Sequence, residues 1–253
     1  MMGVNTYINF DIYKPFPELV CAFSTRLGGS SKGIFSNQNM GNTRYDDINT
    51  VLKNRKNFYK RLNIDKETII LPRQYHSANV KIATSVDLEP KADALFTQNT
   101  GLFLGIQTAD CFPVFIYDTQ KKAVGIIHAG WRGIVKGILS KTLKIMNRNL
   151  GSKFPNFHVA IGPGLHEECF EVRADVYKQF PEKYLRYHPE NFKKNLDLLS
   201  FLVDELISLG VPAMQIEVSS DCTRCRHDLY YSYRRDKEKS GRMLGIIGIK
   251  SEN

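Results

Sequence analysis

Long hydrophobic runs and a secretion signal are absent from this sequence. No apolar run approaches the roughly 20 residues that a membrane-spanning helix needs. Residues 1–20 also lack a basic start followed by an apolar stretch and a small-residue cleavage site. We therefore expect no signal peptide, no membrane partner and a cytoplasmic location.

Cysteine is scarce, and its number is odd. The 253 residues contain five cysteines, Cys21, Cys111, Cys169, Cys222 and Cys225. This count favours reduced thiols over a disulfide framework, which pairs an even number of cysteines in a short secreted chain. Cys222 and Cys225 form a lone CxxC, for which His227 is a possible third metal ligand. Because no second pair completes four ligands, we interpret the two as structural thiols rather than as a second zinc site or a redox pair.

Internal repeats, low-complexity tracts and linkers rich in glycine, serine or proline are missing as well. A chain of this length buries a sizeable core, and we expect one domain over residues 1–253. The formal charge of +9 would attract nucleic acid, anionic surfaces or anionic substrates alike. The basic clusters KNRKNFYKR and KEKSGR match no nucleic-acid motif, so we interpret them as a solvated face and expect no nucleic-acid partner.

Hydrophobic periodicity predicts both helices and strands. Apolar residues at helical spacing predict helices over residues 47–62, 132–150 and 193–209. Short β-branched or aromatic runs predict strands over residues 19–25, 68–73, 80–84, 102–108, 113–118, 123–129, 157–162 and 214–219. The runs between residues 102 and 129 are predicted to be neighbouring antiparallel strands. The expected fold is α/β (mixed α+β), a layered helix–sheet–helix domain with a mixed β-sheet.

Three potential metal ligands lie where predicted strands end. His128 opens HAGWRG (128–133), Cys111 closes TADC (108–111), and His76 follows TIILPR within QYHS (74–77). Zinc or copper accepts two imidazoles and a thiolate, and three protein ligands leave a fourth position open for water or substrate. The spacing is far too long for a zinc finger, so only the fold can bring these residues together. We predict a catalytic metal site at His76, Cys111 and His128.

Other polar residues near these motifs are candidate contacts for substrate. Arg26 precedes a loop rich in glycine and serine, where its guanidinium and the backbone donors could hold phosphate or ribose; a surface arginine is the alternative. The polar series after that loop includes Asn39. Asp110, beside Cys111, either orients a ligand histidine or forms a turn. Arg132 is either an anion contact or a member of a structural ion pair.

Several segments, taken in order, resemble the laccase-domain family, also called YfiH-like or YlmD-like. They are FSTRLGGSSKGIFSNQNMGN (23–42), RQYHS (73–77), ADALFT (92–97), TADCFPVFIYD (108–118), HAGWRG (128–133), AIGPGLHEECFEV (160–172) and SYRRDKEKSGRM (232–243). Chance similarity is a poor explanation for so many motifs in one order. Proteins of this family are described as polyphenol oxidoreductases and as purine nucleoside phosphorylases.

The resemblance implies a metal and a substrate class. In the family, zinc is bound by the histidine of QxHS, the cysteine of ADC and the histidine of HAGWRG, which correspond here to His76, Cys111 and His128. It implies phosphorolysis of adenosine, inosine or methylthioadenosine, in which Arg26 would neutralise the attacking phosphate, with adenosine deamination at the same site. The partners would then be a nucleoside and phosphate, and the expected protein is a monomer or a small homo-oligomer.

The same resemblance implies a fold similar to that of cytotoxic-necrotizing-factor cysteine hydrolases, and it makes Glu171 in FEV a candidate substrate contact. A polar position at a strand end explains Glu171 equally well. Trp131 and Phe170 could stack on a purine, but a large aromatic beside glycine more often fills a core, so packing is the favoured interpretation.

Three alternatives remain at this point. Cys111 activated by His128 would make an amidase-type hydrolase, which the resemblance connects with editing of peptidoglycan precursors. Copper-dependent oxidation of phenols is disfavoured, because several coppers need many histidines and the chain has six. A structural zinc in a binding module would need a fourth ligand, for which His166 and Cys169 are candidates.

Overall fold

Two mixed β-sheets lie at the centre of this computed structural model, which describes residues 5–86, 89–190 and 193–251. The five-stranded sheet has the order β1 (Tyr7–Ile8), β2 (Leu19–Ser24), β14 (Met243–Ile249), β6 (Phe103–Thr108) and β3 (Ile69–Ile70). The six-stranded sheet has the order β13 (Ile216–Val218), β9 (Phe157–Ile161), β7 (Phe112–Asp118), β8 (Ala123–Ala129), β5 (Ala94–Thr97) and β4 (Val80–Ile82). A small third sheet contains β10 (Glu171–Val172), β12 (Lys193–Leu196) and β11 (Leu185–His188).

Six α-helices surround the sheets in the described ranges. They are α1 (Ile48–Leu62), α2 (Trp131–Val135), α3 (Ile138–Leu150), α4 (Ala174–Tyr177), α5 (Leu198–Ser208) and α6 (Tyr233–Asp236). Single 3₁₀ turns lie at Asp11–Tyr13, Gly33–Phe35, Lys66–Thr68, Phe154–Asn156, Glu167–Cys169, Glu182–Tyr184, Ala213–Gln215 and Lys237–Lys239. None of these helices has the length and apolar character needed to cross a membrane. Residues 1–4, at the start of the segment considered for a signal peptide, lie outside the described ranges.

The two large sheets pack face to face, so the fold has four layers. Phe23 of the five-stranded sheet and Phe115 of the six-stranded sheet share one buried cluster between the sheets. The outer face of the six-stranded sheet packs on α3 and α5, and that of the five-stranded sheet packs on α1. Every residue of β7, β8 and β14 is buried, because both faces of these strands are covered. The α/β class with mixed sheets is confirmed, and the layer between the helices consists of two sheets.

Local signals explain where the predicted helices begin and end. Helix α1 begins after Asp47, whose carboxylate accepts the N–H of Thr50, and ends at Asn63 in the left-handed conformation. The predicted helix 132–150 is divided into α2 and α3 at Gly137, which has φ of 72°. The predicted helix 193–209 is wrong in its first residues, which form β12. Helix α5 starts only after Asp197, whose side chain accepts the N–H of Ser200.

The strand prediction was correct in position more often than in pairing. β7 and β8 are antiparallel neighbours, as predicted. β6 lies in the other sheet, between β14 and β3, so its expected pairing with β7 is wrong. The sequence analysis also missed β5 and β14. The residue immediately before β5 matters for the site.

Candidate metal centre

The fold brings the three predicted metal ligands together. His76 lies in a turn with φ of 60°, Cys111 immediately precedes β7, and His128 is in β8. Because β7 and β8 pair with Phe112 opposite Ala129, Cys111 lies beside the end of the strand that carries His128. The three donor atoms lie within 4.8 Å of one another, and Sγ of Cys111 is 4.0 Å from Nε2 of His76.

Glycine at position 130 allows this close approach. A Cβ atom on Gly130 would lie 2.9 Å from Sγ of Cys111 and 3.2 Å from Cδ2 of His76. Both distances are shorter than an ordinary van der Waals contact of about 3.5–4.0 Å. A larger residue at position 130 would therefore separate the two ligands, which explains the glycine after the strand in HAGWRG.

Asp93, just before β5, forms hydrogen bonds to the segments that carry the two ligand histidines. It is fully buried, and its Oδ1 lies 2.9 Å from Nδ1 of His128 and accepts the backbone N–H of His76 at 3.0 Å. Its Oδ2 accepts the N–H and the hydroxyl of Ser77 at 2.7 and 2.6 Å. One carboxylate thus fixes both histidine segments.

Asp110 was predicted either to orient a ligand histidine in this way or to form a turn, and its contacts in the structure are with other segments. Oδ1 of Asp110 accepts the hydroxyl of Thr223 at 2.8 Å, and its Oδ2 accepts the N–H of Arg234 at 2.6 Å. Asp110 therefore joins the loop before β7 to two other segments and does not hold a ligand histidine. A signal for Asp93 was present, since it is a lone carboxylate at the start of the apolar run ALFT.

The electrostatics of the metal-free site favour a charged pair. Burial alone would raise the pKa of the Cys111 thiol, but the charge of His128 and hydrogen bonds from His128 and His76 lower it to about 6. Burial would lower the pKa of His128, but the charge of Cys111 and the bond to Asp93 raise it to about 9. Although burial opposes it, hydrogen bonds from His128 and Ser77 hold the pKa of Asp93 well below its usual range. At neutral pH the site thus contains a thiolate beside an imidazolium.

These donors fit zinc in type and in spacing. The ionised carboxylate of Asp93 can only accept, so Nδ1 of His128 carries the proton and Nε2 is left for a metal. Tetrahedral zinc, with Zn–S of about 2.3 Å and Zn–N of about 2.0–2.1 Å, requires donor separations of about 3.3–3.6 Å. A small inward movement of His76 or Cys111 from their 4.0 Å separation satisfies this requirement.

A fourth protein donor does not close this group in the part of the chain that the structure describes. Cys169 belongs to a different group of donors. The ring of His166 stacks on Phe112, with centroids 6.2 Å apart, and its nitrogens are outside the three-donor group. Neither candidate for a fourth ligand is therefore in place, and the three donor residues line a cavity.

That cavity has a volume of about 1410 Å³, above the roughly 300–1,000 Å³ of typical small-molecule sites. His76, Cys111 and His128 line it, as do the predicted contacts Asp110, Arg132 and Glu171 and the aromatic residues Trp131 and Phe170. Its basic lining residues are Arg55, Arg73, Arg132, Arg173, Arg234, Lys237 and Arg242, and its acidic ones are Glu89, Asp110, Glu171 and Asp175. Basic groups outnumber acidic ones, so the cavity favours an anion.

Two of the predicted contacts that line this cavity have partners of their own. The guanidinium of Arg132 lies over the ring of Trp131, 4.3 Å from its centroid. The carboxylate of Glu171 is 2.7 Å from Nζ of Lys193. Arg242, which was not singled out from the sequence, also lines the cavity and is half-buried, with Nη1 donating to the carbonyls of Ser240 and Gly241.

The structure does not bring Arg26 or Asn39 into this cavity. The guanidinium of Arg26 donates to the carbonyls of Ser36 and His227 and stacks on Tyr231. Asn39 is fully buried, and its side-chain oxygen accepts the N–H of Arg242 at 2.9 Å. These bonds occupy the groups that would have to contact substrate. The roles predicted for Arg26 and Asn39 stay predictions without a supporting contact, and Asn39 acts on the cavity through Arg242.

The chain is similar to known proteins over most of its length. Residues 20–250 match the family described as multi-copper polyphenol oxidoreductase laccase. Purine nucleoside phosphorylase YlmD of Geobacillus stearothermophilus is 31% identical, over 94% of this chain and 93% of the relative. Adenosine deaminase RL5, from an unknown prokaryotic organism, is 33% identical over 89% and 92%. The crystal structure of the Bacillus licheniformis hypothetical protein YfiH superposes with a TM-score of 0.91 at 30% identity, covering 99% of this chain and 98% of that one.

Proposed function

This chain belongs to the family described as multi-copper polyphenol oxidoreductase laccase. Because it is similar to relatives named purine nucleoside phosphorylase, we propose that it is a zinc-dependent purine nucleoside phosphorylase. In this reaction phosphate attacks the anomeric carbon of a purine nucleoside, and the free base and ribose phosphate leave. The observation that carries the proposal is the three-donor group of His76, Cys111 and His128, which is open to a predominantly basic cavity.

The size and charge of the cavity support two substrates bound together. Its volume of about 1410 Å³ exceeds what one small ligand usually fills, so a nucleoside and a phosphate can lie side by side. Arg132 and Arg242 are on its lining and would neutralise the phosphate. Trp131 and Phe170 also line the cavity, but both pack against a buried cluster and each has an arginine guanidinium over its ring, so a purine would contact their edges or displace an arginine.

The chain's own residues have separate tasks around the metal. Nε2 of His128, Sγ of Cys111 and a nitrogen of His76 would hold it, and Asp93 keeps the proton on Nδ1 of His128 so that the imidazole keeps its orientation. A bound zinc would supply Lewis acidity to an oxygen of phosphate or ribose, or lower the pKa of a water toward 7. Arg132 and Arg242, on the lining of the cavity, would bind the phosphate near the metal.

Adenosine deamination fits the same site, because it needs an activated water in place of phosphate. A relative named adenosine deaminase supports this second reaction. Adenosine, inosine and methylthioadenosine are the proposed substrates.

The five free thiols are compatible with a reducing compartment, and the cytoplasm is the location we propose.

One observation favours a second candidate function. Asp93, His128 and Cys111 have the order of a hydrolase triad, in which a carboxylate orients a histidine that activates a thiolate. An amide or ester hydrolase of this kind would need no metal. Copper oxidation of phenols has weaker support, since only two of the six histidines lie in the candidate metal groups of the described residues.

The decisive experiment compares zinc-loaded and chelator-treated protein on adenosine and inosine, with and without phosphate. We expect ribose phosphate only when both zinc and phosphate are present, and inosine from adenosine when phosphate is omitted. The variant His227→Asn, whose exposed side chain lies outside the donor group, should behave as the wild type. If no nucleoside is turned over and the chelator-treated protein cleaves amides or esters, the triad hydrolase replaces the phosphorylase.

A further inference from the structure

A second group of metal-binding side chains lies outside the site described so far. Glu168, Cys169, Cys222 and Cys225 offer one carboxylate and three thiols, and the four donor atoms lie within 4.8 Å of one another. Sγ of Cys169 is 3.3 Å from Sγ of Cys225. Cys169 and Cys222 are buried, whereas Glu168 and Cys225 are exposed. A small cavity beside this group is lined by Glu168 and Cys169 and is separate from the three-donor site.

We propose that Cys169, Cys222, Cys225 and Glu168 bind a second zinc ion, which has a structural role. From the sequence, His227 was a possible third ligand of the CxxC pair, which left too few donors for a closed site. His227 is outside the group, and Cys169, which lies 56 residues before Cys225, takes that position. Four donors complete a tetrahedral site.

The backbone presents the thiols as structural zinc sites require. Cys222 and Cys225 lie on one tight turn, in which the N–H of Arg226 donates to the carbonyl of Cys222 at 2.9 Å. Cys169 closes the 3₁₀ turn Glu167–Cys169. Gly164 bridges to Cys222 and accepts the N–H of Thr223, which fixes the two loops against each other. A C-x₂-C turn with a further thiol from a distant loop is a common zinc ligand pattern.

The distances favour a metal over a disulfide. Thiolates bound to zinc at about 2.3 Å in a tetrahedron are about 3.8 Å apart. The 3.3 Å between Cys169 and Cys225 is near that value. A disulfide needs about 2.05 Å and joins two sulfurs, so it would leave Cys222 and the adjoining carboxylate unexplained.

Nearby cations offset the charge of the proposed site. Three thiolates and one carboxylate around a dication leave an excess of negative charge. Arg224 lies within the CxxC turn and interacts with Cys169. Arg234 lines the same small cavity as Glu168 and Cys169. These guanidinium groups would stabilise the bound form, as positive neighbours do for clusters of thiolates.

A zinc at this position would also affect the large cavity of the first site. Phe170, which lines the large cavity, directly follows Cys169. Thr223, between the two cysteines of the turn, donates its hydroxyl to Asp110 beside Cys111. A zinc that joins the two loops would therefore hold one wall of the large cavity without contacting substrate.

The test is a count of zinc per chain in full-length protein, purified under reducing conditions and loaded with excess zinc before desalting. We expect two zinc ions in the wild type, and one each in Cys225→Ser and Cys111→Ser. The double variant should hold none. Cys225 is exposed, so its replacement by serine should leave the fold intact, which circular dichroism would verify. His227→Asn is the matched control and should retain two.

Cobalt substitution tests the donors directly. In the Cys111→Ser background, bound cobalt should show thiolate charge-transfer absorption about three times as intense as that of the first site alone in Cys225→Ser, because three thiolates replace one. Glu168→Gln should keep that absorption and weaken cobalt binding. One zinc in the wild type, unchanged by Cys225→Ser, would refute the proposal. So would a Cys169–Cys225 disulfide found by mass spectrometry in protein kept reduced and supplied with zinc.

Discussion

The two candidate groups of metal-binding side chains differ in what surrounds them. The first, with His76, Cys111 and His128, is backed by a buried carboxylate and faces a large cavity. The second, at Glu168, Cys169, Cys222 and Cys225, has four donors on two turns and a much smaller cavity beside it.

The first group is built for reaction with a substrate, and the second group is built to hold the fold rigid. Three donors with an open position allow substrate to reach a metal, whereas four donors close the coordination sphere. The first group also needs Asp93 to orient the imidazole of His128, since an imidazole can rotate and offers two nitrogens. Thiolates need no such orientation, and the second group is positioned by its turns and by the bridge between Gly164 and Cys222.

The largest effect is expected from His128→Asn. The asparagine amide can still donate to Asp93, but the substitution removes the imidazole nitrogen that would bind the metal. We expect phosphorolysis to fall by about 10³-fold, equivalent to the several kcal/mol that a Lewis acid supplies. Zinc content should drop by one ion while the second group keeps its own. Retention of near wild-type turnover in steady-state assays would show that the first group is not the reactive one.

A smaller effect is expected from Asp93→Asn. The amide oxygen can still accept from His76 or Ser77, but the charge that fixes Nδ1–H of His128 is lost. We expect zinc affinity of the first group, or activity, to fall about 10–100-fold. Asp110→Asn is the matched comparison and should change zinc affinity less, since Asp110 contacts no ligand histidine. Equal losses in the two variants, measured by competition with a chelator, would contradict the assignment of Asp93.

What could be predicted from the sequence depended on distance along the chain. The start of α1 was predictable, because Asp47 caps it through a bond to Thr50, only three residues away. The three ligand residues were recognisable by type and motif. Their support was not, because the bond from His128 to Asp93 spans 35 residues and depends on the pairing of β5 with β8.

The second group shows the same limit more clearly. A lone CxxC is visible in the sequence, but the third thiol belongs to Cys169, in a loop 56 residues before Cys225.

Strand β14 was missed for a different reason. Its run MLGIIGI alternates glycine with apolar residues, and Gly248 and Gly245 are there because aromatic rings of the neighbouring strands leave no room for a Cβ. Such packing is known only once the partner strands are placed.

The pH dependence of zinc binding should distinguish the first group from the second. Because the pKa of His128 is raised to about 9, a metal must displace its proton at any lower pH, and below about 6 the thiol proton of Cys111 as well. Affinity should therefore fall by at least about tenfold per pH unit as the pH drops from 9 to 6, and more steeply below 6. Chelator competition on Cys225→Ser, where only the first group remains, measures this. A flat response between pH 7 and 8.5 would contradict the raised pKa of His128.

The smallest effect is expected at the rim of the cavity, where Arg132→Gln removes an exposed charge that stacks on Trp131. An exposed ion pair is worth about 0.2–1 kcal/mol, so the KM for phosphate should rise about two- to fivefold while kcat changes little. Arg224→Gln is the matched control, because Arg224 is also exposed but lies beside the second group and not on the lining of the large cavity. Its KM for phosphate should stay at the wild-type value. If both variants raised the KM for phosphate equally, phosphate binding would depend on the overall charge of the protein and not on the lining of the large cavity. The cavity would then no longer support the distinction between an open reactive group and a closed structural one.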